Sequence, residues 1–186
     1  APSPDVSAIR RVLQEDKNIE LKTFIGRGTG QFYEGPLTDQ VLRDADCVIL
    51  VGYPKVGDSA TALPAITRAA DIGKGLFFVP SRSIDFQKLK TLEPYLPFVV
   101  PAQSENEGQL FFSLSEDQRN HPILRSSLAD VWSKLPPVFI VEGSLRAKPE
   151  SEVLARARIQ NVTTNDPLFL SRRVNRSKSL ALACYG

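Results

Sequence analysis

A hydrolase that activates serine through histidine has one histidine to draw on in this chain, His121. Ser81 as nucleophile, His121 as base and Asp85 or Glu107 as the orienting carboxylate make the best constellation the residues offer for that chemistry. His121 precedes Pro122-Ile123 at a turn entering a strand, where a turn or surface role is the simpler reading. Gly26-Arg27-Gly28-Thr29-Gly30 follows a strand-like stretch, and glycines there let backbone N–H groups approach a phosphate. The third glycine comes too early for a dinucleotide fingerprint and Gln31-Phe32-Tyr33 continues as loop, so a flexible loop is the plainer reading. Gly26, Gly28 and Gly30, with Gly52, Tyr53, Ser81 and Arg82, form a candidate ligand crevice.

Cys47 and Cys184 lie in apolar runs without a close Cys or His neighbour, which excludes a zinc site and a disulfide framework and predicts two buried, inert thiols. Asp44-Ala45-Asp46 reads as solvated charge at a strand start, and no metal or cofactor is expected. Lys148, Arg156, Arg158, Arg172, Arg173, Arg176 and Lys178 make the C-terminal part basic. A solvated strand face explains them, and an acidic partner or lipid headgroup is the sharper alternative.

These residues need elements to hold them. Val6, Ile9, Val12 and Leu13 recur at helical spacing and predict a helix to about Glu15. Ile19 to Ile25 alternates like a short strand, and a helix is expected over residues 38–44. The continuous apolar runs 45–52 and 75–79 predict strands buried on both faces of a parallel sheet, separated by a helix over 59–72. A short helix over 85–92 leads to a proline-broken link at Pro94, Pro97 and Pro101. Short strands follow at 110–114, 138–142, 153–159, 168–173 and 180–185, with a helical stretch around 128–134. The expected fold is a three-layer αβα, Rossmann-like arrangement with a mostly parallel central sheet and an antiparallel C-terminal extension. Residues 1–186 form a single domain, with 1–100 the parallel α/β half and 101–186 the strand-rich half. In such a sheet ligands bind beyond the carboxyl ends of the strands, here at Ile25-Gly26, Val51-Gly52-Tyr53 and Val79-Pro80-Ser81.

The chain has 186 residues, 42% apolar and 24% charged, which suits one globular core and excludes disorder and coiled coil. A net charge of +2 gives no footprint for nucleic acid or a membrane surface. No apolar run approaches the roughly 20 residues that cross a bilayer.

Pro2-Ser3-Pro4-Asp5, Ile9 to Leu13, Ala45 to Gly52 and Gly73 to Phe78 together resemble the class I glutamine amidotransferase-like superfamily. Asn120 to Leu124, Trp132 to Pro137, Pro167 to Val174 and Ser179 to Leu182 narrow the likeness to the amidotransferase-like domains of bacterial membrane proteins that also carry von Willebrand A-type domains. An active member needs a cysteine at the turn after the second parallel strand, and Val79-Pro80-Ser81-Arg82-Ser83 has none. The resemblance therefore implies a catalytically inactive domain, excised from a longer membrane-anchored parent and facing its extracytoplasmic side, with a cytoplasmic location as the alternative. Its partners are other parent domains or a protein, and the membrane is reached only through segments outside this chain. Beside that binding or structural role stand two others: a serine hydrolase or amidase using Ser81 and His121, and a small-ligand or nucleotide binder using the crevice.

Overall fold

The computed structural model describes residues 4–102, 106–114, 118, 120–124, 132, 134–142 and 145–186, with the backbone alone for Asn106, Glu107, Val141 and Glu142. Helix α1 (Pro4–Glu15) is amphipathic yet buries no residue. Helix α2 (Asp39–Arg43) leads into strand β1 (Cys47–Val51), and α3 (Leu63–Asp71) crosses to β2 (Gly75–Val79). Helix α4 (Phe86–Leu89) runs into a 3-10 turn (Lys90–Tyr95). Strands β3 (Phe98–Val99), β4 (Asn106–Ser113), β5 (Val138–Glu142), β6 (Arg146–Ala147), β7 (Ser151–Ile159), β8 (Val162–Val174), β9 (Ser177–Leu182) and β10 (Cys184–Tyr185) complete the chain.

Eight strands form one sheet in the order β1-β2-β9-β8-β7-β4-β5-β10, and β3 and β6 form a separate ribbon. Only β1 with β2 and β2 with β9 are parallel; every other pair in the sheet is antiparallel. This corrects the expected three-layer, mostly parallel architecture. The cause is local: Gln160 and Asn175 take left-handed φ of 53° and close the β7–β8 and β8–β9 hairpins, where a parallel sheet would need helical crossovers. Ile19 to Ile25 forms no strand, despite its alternation. Of the stretch 128–134, only Trp132 and Lys134 lie within the described residues.

Strands β9 and β10 are one chain path interrupted at Ala183, whose N–H donates to the Leu168 C=O (2.8 Å). Because β10 pairs with β5, the pairing runs in a ring through β9, β8, β7, β4, β5 and back. One apolar cluster lies among these strands, including Phe112, Leu154, Ala157, Leu168 and Cys184. A second holds the parallel part under α3 and the 3-10 turn. Across it Leu50, Phe78, Ala181, Leu170 and Val153 stand in register on five neighbouring strands.

Strand β1 ends the sheet and only Leu50 in it is buried, so it is not the strand buried on both faces that was expected, and Cys47 is exposed where a buried thiol was expected. Its Sγ still lies against Gly75, and burial followed by the Asp46 charge raises its pKa. Cys184 is buried as expected, and burial above all pushes its thiol up to about 12.

Candidate functional site at the ends of the parallel strands

Three loops gather here in chain order: 26–35, which lies against the second, and 52–62 and 80–85, carried by the carboxyl ends of β1 and β2. Gly52 (φ 63°) donates its N–H to the Val79 C=O (2.9 Å), and a Cβ placed on it would lie 3.0 Å from Ser81 Oγ. The two strand ends thus meet through a glycine that cannot become larger without moving Ser81. The second loop returns to the third: Val56 N–H donates to the Ser83 C=O and Asp85 N–H to the Pro54 C=O, both 2.9 Å.

The first loop is tied to the second by hydroxyls. Ser59 Oγ donates to the Thr29 C=O (3.0 Å), and Thr61 Oγ1 donates to the Gly30 C=O. Phe24, Phe32 and Tyr53 form a run of rings with centroids 6.1 Å apart at each step, joining the same loops through apolar contact. Thr29 (φ 60°) and Ala60 (φ 53°) both hold left-handed backbone on either side of the hydroxyl contacts. Non-glycine residues in that region carry strain, and such strain concentrates at binding and switch sites.

The structure thus draws Gly30, Gly52, Tyr53 and Ser81 into one linked crest, with Arg82 exposed beside Ser81. Gly26 and Gly28 lie on the outer part of the first loop, where an added Cβ would meet nothing within 4 Å. Ser59 and Thr61, which bind the loops together, are absent from the residues singled out in the sequence. Their signal was there, two hydroxyls flanking Ala60 ahead of an apolar helix, but that pattern reads as helix capping.

Tyr53 Oη accepts from the Ala62 N–H (3.2 Å), and burial, the dominant cause, pushes the phenol up to about 12. Tyr95 also reaches about 12, chiefly because its hydroxyl donates to Asp71. A raised folded value means that the stability from each neutral phenol is present below its ordinary 10 and is lost as pH rises toward 12. Absorbance titration of the four tyrosines is expected to show a late fraction near 12, reduced by one residue's share in Tyr53→Phe.

The proposed hydrolase constellation does not assemble. His121 Nδ1 accepts from the Ile123 N–H (3.2 Å), which leaves Nε2 facing Glu152 Oε2 at 3.2 Å. Glu152 stands in the register row Ile49, Phe77, Leu180, Ser171, Glu152. Its backbone is therefore three strands, about 14 Å, across from β2, and Ser81 lies a further four residues, about 13 Å, along it. The backbones of Glu152 and Ser81 are thus roughly 20 Å apart, and a histidine in side-chain contact with Glu152 is outside the hydrogen-bond reach a base needs to Ser81.

Asp85 has a different employment. Its side chain caps α4, with Oδ1 accepting from the Lys88 N–H (3.1 Å) and Oδ2 paired with Lys88 Nζ (2.7 Å). The Lys88 hydrogen bond holds its carboxyl below the ordinary value of 3.8. The depressed value means that this stability is present above 3.8 and is lost as pH falls through the folded value. Asp85→Ala is expected to cost about 1 kcal/mol at pH 7. In urea titrations its deficit against the parent should close in acid, below the usual carboxylate range. The side chain of Glu107 lies outside the described residues.

The basic residues of the C-terminal part are largely spent on backbone. Arg172 donates to the Pro94 C=O (2.8 Å) and stands 3.6 Å from Glu150, and Arg156 donates to the Asn165 C=O (3.0 Å). Arg158 donates to the Gln160 C=O with its guanidinium over Phe111. Lys148 donates to the Glu93 C=O, and burial, then Arg172, lowers its pKa. They brace strands and turns. Among the described residues no group of three His, Cys, Asp or Glu gathers as metal ligands.

No family model and no curated protein matches the chain. Solved structures do. The chain is similar to the cytoplasmic protein STM1381 from Salmonella typhimurium LT2, with a TM-score of 0.55 and 17% identity over 80% of this chain and 64% of that one. It is also similar to the cytoplasmic protein STM3548 from Salmonella typhimurium, with a TM-score of 0.54 and 15% identity over 79% of this chain and 63% of that one. The chain thus spans just under two thirds of each, and at such identities the likeness is one of fold. Both are described as cytoplasmic proteins, which points away from the extracytoplasmic, membrane-associated placement and corrects it. The amidotransferase-like description gains no support from these neighbours. Among the described residues no helix is long and apolar enough to cross a membrane.

Proposed function

We propose that this domain is a non-catalytic binding module that takes a small anionic ligand at the crest above β1 and β2. The observation that carries the reading is the convergence of three loops at the carboxyl ends of adjacent parallel strands, where strained Thr29 and Ala60 flank the contacts that join them. The charge there favours an anion. Arg27, Lys55 and Arg82 are exposed, one on each loop, and the guanidinium of Arg27 lies over Tyr33. Glu34 and Asp58, the carboxylates of the first two loops, already accept the N–H groups of Ile25 (2.7 Å) and Ala60 (3.1 Å).

The absence of turnover is supported by the distance between Ser81 and His121. A fluorophosphonate, which labels activated serines, is expected to leave Ser81 unmodified. Titration calorimetry with inorganic phosphate and with AMP tests the binding. Saturable binding that weakens at least severalfold in Lys55→Ala and Arg82→Ala is expected, whereas Ser81 labelling or unchanged affinity in both variants would overturn the reading.

A further inference from the structure

Strand β1 stands at the margin of the large sheet, with one side paired to β2. Gly75 N–H donates to the Asp46 C=O (2.8 Å), and Gly52 N–H donates to the Val79 C=O (2.9 Å). In a parallel ladder alternate residues bond a given neighbour, so Asp46, Val48, Leu50 and Gly52 face β2. Cys47, Ile49 and Val51 consequently turn their N–H and C=O groups away from the sheet, and no described residue bonds them. At the other end of the strand order β10 continues β9 and closes the ring, so β1 is the strand left with an open side in this sheet among the described residues.

Proteins blunt such edges with lysine, proline, a bulge or a cover. The sequence of β1, Cys-Val-Ile-Leu-Val, has no charge and no proline, and its register with β2 runs without a shift. The outward residues are also symmetric about Ile49. In an antiparallel pair centred there, Ile49 meets Ile49 of the second copy and Cys47 meets Val51, and all three outward residues of each strand fall at hydrogen-bonded positions. A centre at Val48 or Leu50 would pair only two of the three outward residues of each strand, and a centre midway between residues would set inward-bonded residues opposite them. The same pairing sets the acidic start of each strand, Asp44 and Asp46, toward the other's exit loop, which carries the exposed Lys55. Neither aspartate has an ion-pair partner among the described residues.

We infer that the chain forms a two-fold dimer by antiparallel addition of β1 to β1, joined by about six backbone hydrogen bonds. This surface runs along the strand and shares only Lys55 of the exit loop with the crest at its end.

Sedimentation equilibrium tests it, with two variants. Ile49→Lys places a charge at the symmetry centre without removing a bond to β2, and is expected to convert the dimer to monomer with unchanged circular dichroism. Val51→Cys puts a thiol opposite Cys47 of the second copy at a Cα separation of about 5.5 Å, within disulfide range. Mild oxidation with diamide, which is reduced as two thiols join, should give a covalent dimer whose peptide map shows Cys47 linked to position 51. These two positions are about 13 Å apart within one strand, so the link cannot form inside a single chain. A parent protein that stays monomeric up to about 500 μM, far above the dissociation constants of specific complexes, would overturn the inference. So would a dimer that survives in Ile49→Lys, or a cross-link in another register. If Ile49→Lys fails to fold, the peptide map of Val51→Cys decides.

Discussion

Phe78→Ala is expected to remove about 3 to 5 kcal/mol of stability, enough to consume much of what a domain of this size has in reserve. Phe78 is fully buried in β2 and its ring lies 5.6 Å from that of Phe98. It also stands in the row that runs from Leu50 through Ala181 and Leu170 to Val153. The cavity left by truncation would lie between the parallel part of the sheet and its cover, so it cannot collapse without disturbing both. Urea unfolding followed by circular dichroism measures the loss. Phe77→Ala, on the opposite face and half-buried, should cost visibly less. Equal losses would mean that the main core is not where the register places it.

Gly30→Ala is expected to have the next largest effect. Gly30 is buried with φ 77°, and an added Cβ would come 1.9 Å from Ser59 Oγ and 2.9 Å from Thr61 Cγ2. The left-handed backbone costs an alanine roughly 1 to 2 kcal/mol. Moving the Ser59 hydroxyl aside breaks its bond to Thr29 and adds about 1 kcal/mol. The total of roughly 2 to 3 kcal/mol falls on one loop, so two outcomes are expected together: a lower unfolding midpoint, and faster amide exchange over residues 26–35 than in the parent. Gly28→Ala is the control. It also has positive φ (78°), but its Cβ would meet nothing within 4 Å, so it should show the backbone cost alone.

The elements were legible in the sequence where an apolar period coincides with a packed neighbour. Strands β2 and β5 have the predicted bounds, β1, α2 and α3 lie within the expected stretches, and β4, β7, β8 and β9 overlap theirs but start earlier, because their apolar positions meet partners. Ile19 to Ile25 has the alternation of a strand and joins no described strand, since alternation reports which side chains want burial and not whether an edge is offered to them. The continuous run Cys47 to Val51 suits a strand in the middle of a sheet, and the same run at the margin has no separate signature. Its exposed Cys47 follows from position in the sheet, which is a tertiary fact. The mainly antiparallel architecture was misread for a related reason. The first hundred residues alternate helix and strand, but they supply only β1 and β2 to the large sheet, and the remaining six strands come from the hairpin-rich part.

The candidate crest was legible through its glycines and the strand-end positions, which come from the general location of ligands in parallel sheets. The hydroxyls of Ser59 and Thr61 were not, because the loop they fasten lies 30 and 31 residues earlier in the chain. Proximity of Ser81 to His121 failed for the same reason in reverse. The register through β9, β8 and β7, invisible in a single sequence, sets Glu152, which His121 faces, far from the loop after β2 that carries Ser81.

The crest is tested most directly by backbone amide NMR of the labelled protein during titration with AMP. The account predicts saturable shifts concentrated in residues 26–31, 52–61 and 80–83. Shifts confined to other surfaces, or none while the protein remains folded, would contradict it.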